Sequence, residues 1–222
     1  MKIEFFFDCS SPWTYLAFER IQPVAKEFNA KLILRPILVG GIFNQVNPGV
    51  EYFKQKDRIP QRKLEYMDKD LQDWAKATGI NLIFPPVGHP VNSVKVMRAC
   101  LVLDPMGKLM PFAKAAFHAY FGEERLISND AVIADLCTQV AVDPYWLLEA
   151  IDQPAVKDQL RSNVNEAIDR GVFGSPTIFL NDDDMYFGVD RIQLLQLAMQ
   201  RKNSNSQENQ NQKTAPIFRE QK

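Results

Sequence analysis

The chain has 222 residues, a formal net charge of -1 at pH 7, and is 46% hydrophobic and 24% charged. That length can bury a core as one domain or two small ones, and the composition is ordinary for a globular protein. No dominant basic patch points to nucleic acid or an anionic membrane, and no stretch reaches the ~18 apolar residues of a membrane helix.

Lys2 to Phe7 (KIEFFF) is short, apolar and aromatic, and reads as a buried strand. Glu4 and Asp8 break this run and no small-residue cleavage site follows a long apolar segment, so it is not read as a signal peptide and the cytoplasm is expected. Ser11 followed by Pro12 marks a helix start, with Tyr15, Leu16, Phe18, Ile21 and Val24 at helical spacing behind it. Lys31 to Arg35 reads as a second strand, completing a β-α-β unit.

Residues 37–60, rich in Gly, Pro and Asn, read as a long loop. From Gln61 to about Asp169 the chain reads almost wholly helical, with a first helix stopped by Gly79 and others near 91–104, 108–121, 128–140, 143–152 and 154–170. Strands return at Thr177–Leu180 and Met185–Phe187, joined by a turn at 181–184. Asp190 is read as the cap of a last helix, Ile192 to Arg201, and the Asn/Gln/Ser-rich remainder as a disordered tail. Strands at both ends must meet in one sheet. The expected organisation is a discontinuous α/β domain, 1–50 plus 160–201, an all-helical insertion over 51–159, and a tail over 202–222.

The three cysteines, Cys9, Cys100 and Cys137, form no C-x-x-C pair and no secreted disulfide framework. His89 and His118 lie in different segments without ligand spacing, so no metal site is expected. Three motifs carry a resemblance: F-D-C-S-S-P-W-T-Y-L-A-F-E from Phe7, G-V-F-G-S-P-T at 171–177, and F-G-V-D-R-I at 187–192. In this order and spacing the chain resembles the thioredoxin superfamily with a helical insertion. Within it, the chain is similar to kappa-class glutathione transferases and 2-hydroxychromene-2-carboxylate isomerases over residues 2 to 200.

The resemblance implies a thioredoxin-like fold, glutathione as cofactor, a homodimer, and a small aromatic or hydrophobic electrophile as substrate. It implies Ser11 as the catalytic residue, with glutathione contacts from Ser11, Pro12, Trp13, Asn47, Ser175, Pro176, Asp190 and Arg191. A free thiol of pKa ~8.5 is only about 3% thiolate at pH 7, and a hydroxyl donor at a helix N-terminus favours the charged form. Taken alone, Ser11 and Asp190 could be simple helix caps and Asn47 a turn former. A cis Ser175–Pro176 bond is expected, presenting the main chain of Ser175 to an extended peptide. Asp190 would pair with the γ-glutamyl ammonium, and amides of the last helix start would take its carboxylate.

Cys-x-x-Cys redox members of this fold carry sulfur where this chain has Ser11-Pro12-Trp13-Thr14, and Cys9 reads as a small buried filler. Trp13, Phe43, Tyr52, Phe53, Trp74 and Phe84 are candidates for the electrophile pocket. Arg62 and Arg98 are candidate cations for a substrate carboxylate, since residues 37–53 hold no Lys or Arg. The activity implied is isomerisation of the 2-hydroxychromene-2-carboxylate type. The alternatives are conjugation of glutathione to hydrophobic electrophiles and a non-catalytic binding module.

Overall fold

The computed structural model describes residues 1–52, 54 and 59–214, with side chains through residue 204. Strands β1 (Lys2–Phe7), β2 (Lys31–Pro36), β3 (Thr177–Leu180) and β4 (Asp184–Phe187) form one sheet in the order β2-β1-β3-β4. The first pair is parallel and the other two are antiparallel. The central strand β1 is buried on both faces, which is why its aromatic run does not alternate with polar residues. Ile3, Phe5 and Phe7 belong to the larger core, whereas Phe6 packs with Phe179, Ile42, Val164 and Ala167 on the opposite face.

Helix α1 (Pro12–Glu27) follows β1, with Ser11 as N-cap and Pro12 in the first turn, as expected from the sequence. Helix α2 (Val39–Val46) stands where a continuous loop was expected. Its N-cap, Leu38, supplies no side-chain acceptor. Instead Asp8, 31 positions earlier, accepts the Val39 N–H on Oδ2 at 2.8 Å.

Between β2 and β3 lie α3 (Gln61–Thr78), α4 (Val94–Leu103), a 3-10 turn at Asp104–Met106, α5 (Leu109–Phe121), α6 (Asp130–Gln139), α7 (Pro144–Ala150) and α8 (Pro154–Asp169). Gly79 ends α3 at φ 71°, a left-handed position that suits glycine. The inserted helices share a core with the sheet. Phe117 of α5 stacks on Tyr15 at 5.1 Å between centroids and meets Phe18 at 5.3 Å. Helix α8 covers the other sheet face, and its Asn163 donates to the Pro36 carbonyl at 2.9 Å, so residue 160 falls inside a helix that serves the sheet.

The last helix, α9, spans Ile192–Thr214 and so continues past Arg201 through part of the stretch read as a disordered tail. No glycine or proline separates Asp190 from Pro216, so nothing in the chain itself breaks the backbone ladder. Residues 215–222 lie outside the described residues. Among the described residues no helix is long and apolar enough to cross a membrane.

Candidate functional site

The register of β1 against β3 builds the site. Phe6 pairs with Thr177, so the segment leaving β1, Asp8 to Ser11, lies beside the segment leading into β3, Gly174 to Pro176. The Ser175–Pro176 bond is cis, as expected. Ser11 Oγ donates to the Ser175 carbonyl oxygen at 3.4 Å and accepts the Thr14 N–H at 3.3 Å. Thr14 Oγ1 and Ser175 Oγ are 2.8 Å apart, a second bond between the same two segments. Ser11, Thr14 and Ser175 are all buried. Ser11 is therefore an N-cap, and its hydroxyl also faces the main chain of the second segment.

These residues open onto a cavity of about 990 Å³. Ser11, Pro12, Trp13, Asn47, Ser175, Pro176 and Asp190 all line it, so seven residues separated by up to 179 positions in the sequence converge on one space. Arg191 is not in the lining; it pairs with Asp190, Nη1 to Oδ2 at 3.1 Å. Asp190 precedes the first residue of α9 by two positions. Asn47 is the C-cap of α2, and its Nδ2 donates back to the Phe43 carbonyl at 3.0 Å. It lines the cavity while serving as the local helix stop.

Of the aromatic candidates, Trp13, Phe43, Tyr52, Trp74 and Phe84 line the cavity, and Phe53 lies outside the described residues. The Arg20 guanidinium sits 4.4 Å from the Trp74 ring centroid, while its Nη1 donates to the Val189 carbonyl at 3.3 Å. One side chain of α1 thus ties the wall from α3 to the segment before α9. Among the described lining residues none is Lys or Arg, whereas Asp68, Asp70 and Asp190 carry carboxylates. Arg62 and Arg98 do not reach the cavity, and Arg98 instead approaches Asp152 at 3.5 Å.

Cys9 is fully buried, and its backbone N–H donates to the Met97 sulfur at 3.3 Å. Burial and the neighbouring Cys100 push its thiol well above the ordinary range. It is a buried core residue, as the sequence suggested. Burial also raises the Asp8 carboxyl, against the hydrogen bonds from Ser93, Ser10 and Val39 that favour its charged form.

Sequence reasoning missed four residues of this site. Thr14 carries no expected role beyond ending the run that stands where redox members have Cys-x-x-Cys, yet it contacts Ser175 directly. Phe173 and Phe187 lie within the second and third motifs, have ring centroids 4.4 Å apart and line the cavity. His89 had been weighed only as a metal ligand, yet it lines the cavity beside Phe84. Phe173 and Phe187 were visible within the motifs themselves; His89 carried no local signal.

The DSBA-like thioredoxin domain model matches residues 2–200. A 2-hydroxychromene-2-carboxylate isomerase of Pseudomonas putida is 27% identical over 201 residues, 90% of this chain and 95% of that protein. Glutathione S-transferase kappa 1 of Homo sapiens is 28% identical over 205 residues, 87% and 88% of the two chains. The solved structure of a 2-hydroxychromene-2-carboxylate isomerase superposes with a TM-score of 0.83 at 25% identity, covering 94% of this chain and 98% of that one. With the fold, the helix-start serine and these matches together, the chain belongs to the DSBA-like thioredoxin domain family.

Proposed function

We propose that the chain is a glutathione-dependent isomerase of the 2-hydroxychromene-2-carboxylate isomerase type. The observation that carries this reading is the Ser11 hydroxyl, held at the start of α1 and 3.4 Å from the Ser175 carbonyl, at the head of an aromatic-walled cavity. Likeness to the Pseudomonas putida isomerase over 90% of the chain supports it.

The donor set suits a thiol tripeptide. The Ser11 hydroxyl and the α1 N-terminus favour a thiolate. The main chain of Ser175 suits an extended peptide. The Asp190 carboxylate, about half exposed, suits an ammonium group. Bound glutathione would supply a soft nucleophile able to add reversibly to an activated double bond. The chain's own part is to orient that thiol, donate a hydrogen bond from Ser11, and hold an aromatic substrate against Trp13, Phe43 and Trp74 away from water.

A second reading, a kappa-type transferase for uncharged hydrophobic electrophiles, is favoured by one observation. No Lys or Arg stands among the described lining residues to meet a substrate carboxylate. Calorimetry with reduced glutathione, then chromatography of the products of a hydroxybenzylidenepyruvate, tests both. Isomerisation returns glutathione unchanged, and conjugation consumes it. No binding heat at two temperatures, with no thiol-dependent turnover, contradicts both readings.

A further inference from the structure

Helix α2 forms one wall of the cavity, yet its own residues offer no cap for its start. Val39, Phe43 and Val46 of this helix and its C-cap Asn47 line the cavity. The helix also holds a fifth lining residue. Asn44 Oδ1 accepts the Tyr52 N–H at 2.8 Å, and the Phe43 and Tyr52 rings meet edge-on with 5.6 Å between centroids. The helix is eight residues long, includes Gly40 and Gly41, and has neither an acidic first turn nor a side-chain cap from Leu38. A helix so short and glycine-rich depends on contacts from outside itself. One is packing, since Ile42 sits in the core with Phe6, Val164 and Ala167. The other is Asp8.

Asp8 is buried and uses its two carboxyl oxygens on two different segments. Oδ2 accepts the Val39 N–H at 2.8 Å, at the first residue of α2. Oδ1 accepts the Ser10 N–H at 2.9 Å, and the Asp8 carbonyl accepts the Ser11 N–H at 3.2 Å. One residue therefore fastens the start of the wall to the segment that carries Ser11. From this arrangement we infer that Asp8 is a positioning residue of the cavity, setting the aromatic wall of Phe43 and Tyr52 at a fixed place relative to the Ser11 hydroxyl. Asp8 does not itself line the cavity, so it acts through α2. The wall supplies contact for an aromatic ring, not charge for reacting atoms. Loosening it should weaken electrophile binding and leave the chemical step, because Ser11 keeps its contacts with Thr14 and Ser175.

This inference rests on the proposed electrophile cavity but not on glutathione, so it is tested first without glutathione. The probe is N-phenyl-1-naphthylamine, an uncharged aromatic dye that brightens on entering an apolar cavity. The bond between Asp8 and Val39 is broken from each side. An amide side chain offers one acceptor and one donor, so Asp8→Asn leaves one of the two backbone amides facing an N–H. Val39→Pro removes the backbone N–H itself. Proline suits the first position of a helix, and the preceding Leu38 is already extended at φ -116° and ψ 106°. Val39→Ala keeps that N–H and controls for the lost side chain.

Wild type should bind the dye saturably. Asp8→Asn and Val39→Pro should each bind it about tenfold more weakly, and Val39→Ala within about threefold of wild type. Phe43→Ala should weaken binding in wild type and add little in Asp8→Asn, because the wall is already displaced. Melting temperatures fix a titration temperature at which the variants are folded, and Val39→Pro carries the test alone if Asp8→Asn does not fold. With glutathione added, Asp8→Asn should raise KM for an aromatic electrophile about tenfold and keep kcat within about threefold. No dye binding by wild type, undiminished binding by Val39→Pro, equal losses in Val39→Ala and Val39→Pro, or a fall in kcat at unchanged KM would overturn the inference. Asp8-dependent dye binding in a chain without thiol-dependent turnover would contradict the proposed function and leave the positioning role of Asp8 standing.

Discussion

Ser11 Oγ stands 3.4 Å from the carbonyl oxygen of Ser175, 164 residues further along the chain. At that length the bond is weak. Its exchange for a charge-assisted bond to a thiolate costs little and gains the stronger interaction. In the proposed site, one hydroxyl therefore closes the gap between two segments at rest and is available to a thiol that enters between them.

The contact between Thr14 and Ser175 makes the first prediction. Their side-chain oxygens are 2.8 Å apart and both residues are buried. Thr14→Val keeps the shape of the side chain and removes that bond, leaving Ser175 Oγ with only a 3.5 Å approach to the Phe6 carbonyl. Loss of a buried hydrogen bond should cost about 1–3 kcal/mol in denaturant unfolding. Glutathione affinity should fall with it, because Ser175 is less firmly placed. Unchanged stability together with unchanged affinity would show the two segments are held by the backbone alone.

Asp8 gives a prediction in pH. Burial raises its folded carboxyl above the ordinary value of 3.8. The folded chain therefore holds this proton more tightly than the unfolded chain does. The stability gained from the protonated form is complete below the ordinary value and is lost as pH rises through the raised one. Asp8→Asn removes that dependence. The stability of wild type minus that of Asp8→Asn should be greatest in acid and decline as pH rises above the ordinary carboxylate range. A difference that is flat or grows toward neutral pH would contradict the assigned direction.

Redox chemistry offers a third check. Thiol–disulfide exchange needs a reactive thiolate, and catalysis by this fold also needs a resolving partner. Cys9 is fully buried with a raised thiol, and no sulfur occupies positions 11–14. The chain should not accelerate insulin reduction by a small dithiol. Acceleration that disappears in Cys9→Ser would show that Cys9 becomes exposed and reactive.

The strands and most helices were legible because their signals are local. KIEFFF, the Ser11-Pro12 start and Gly79 each state their role within a few residues. Helix α2 was hidden because its first amide is capped by Asp8 from a different segment, while its own Gly40 and Gly41 argue for a loop. His89 was hidden for a related reason. Its partner Tyr120 is 31 positions away on α5, and no short motif spans that gap. Seven of the eight expected site residues line one cavity because the motifs carrying most of them bound the strand and helix ends that the sheet register brings together. Arg191 was expected from the F-G-V-D-R-I motif, and its side chain pairs with Asp190 outside the cavity lining.

The central claim is that Ser11 donates a hydrogen bond to the thiolate of bound glutathione. Titration of the bound thiol, followed by thiolate absorbance in the ultraviolet, measures this directly. In wild type the thiol should ionise about one pH unit below free glutathione, equivalent to ~1.4 kcal/mol. In Ser11→Ala the donor is gone, while Pro12 and the α1 N-terminus remain. The pKa should then rise back toward the free value, total glutathione affinity at acidic pH should change little, and turnover should fall roughly 10–1000-fold. Loss of the N-cap alone would lower stability by ~1 kcal/mol and leave the thiol pKa where it was. A bound thiol that titrates identically in wild type and Ser11→Ala would contradict the account and reduce Ser11 to a helix cap.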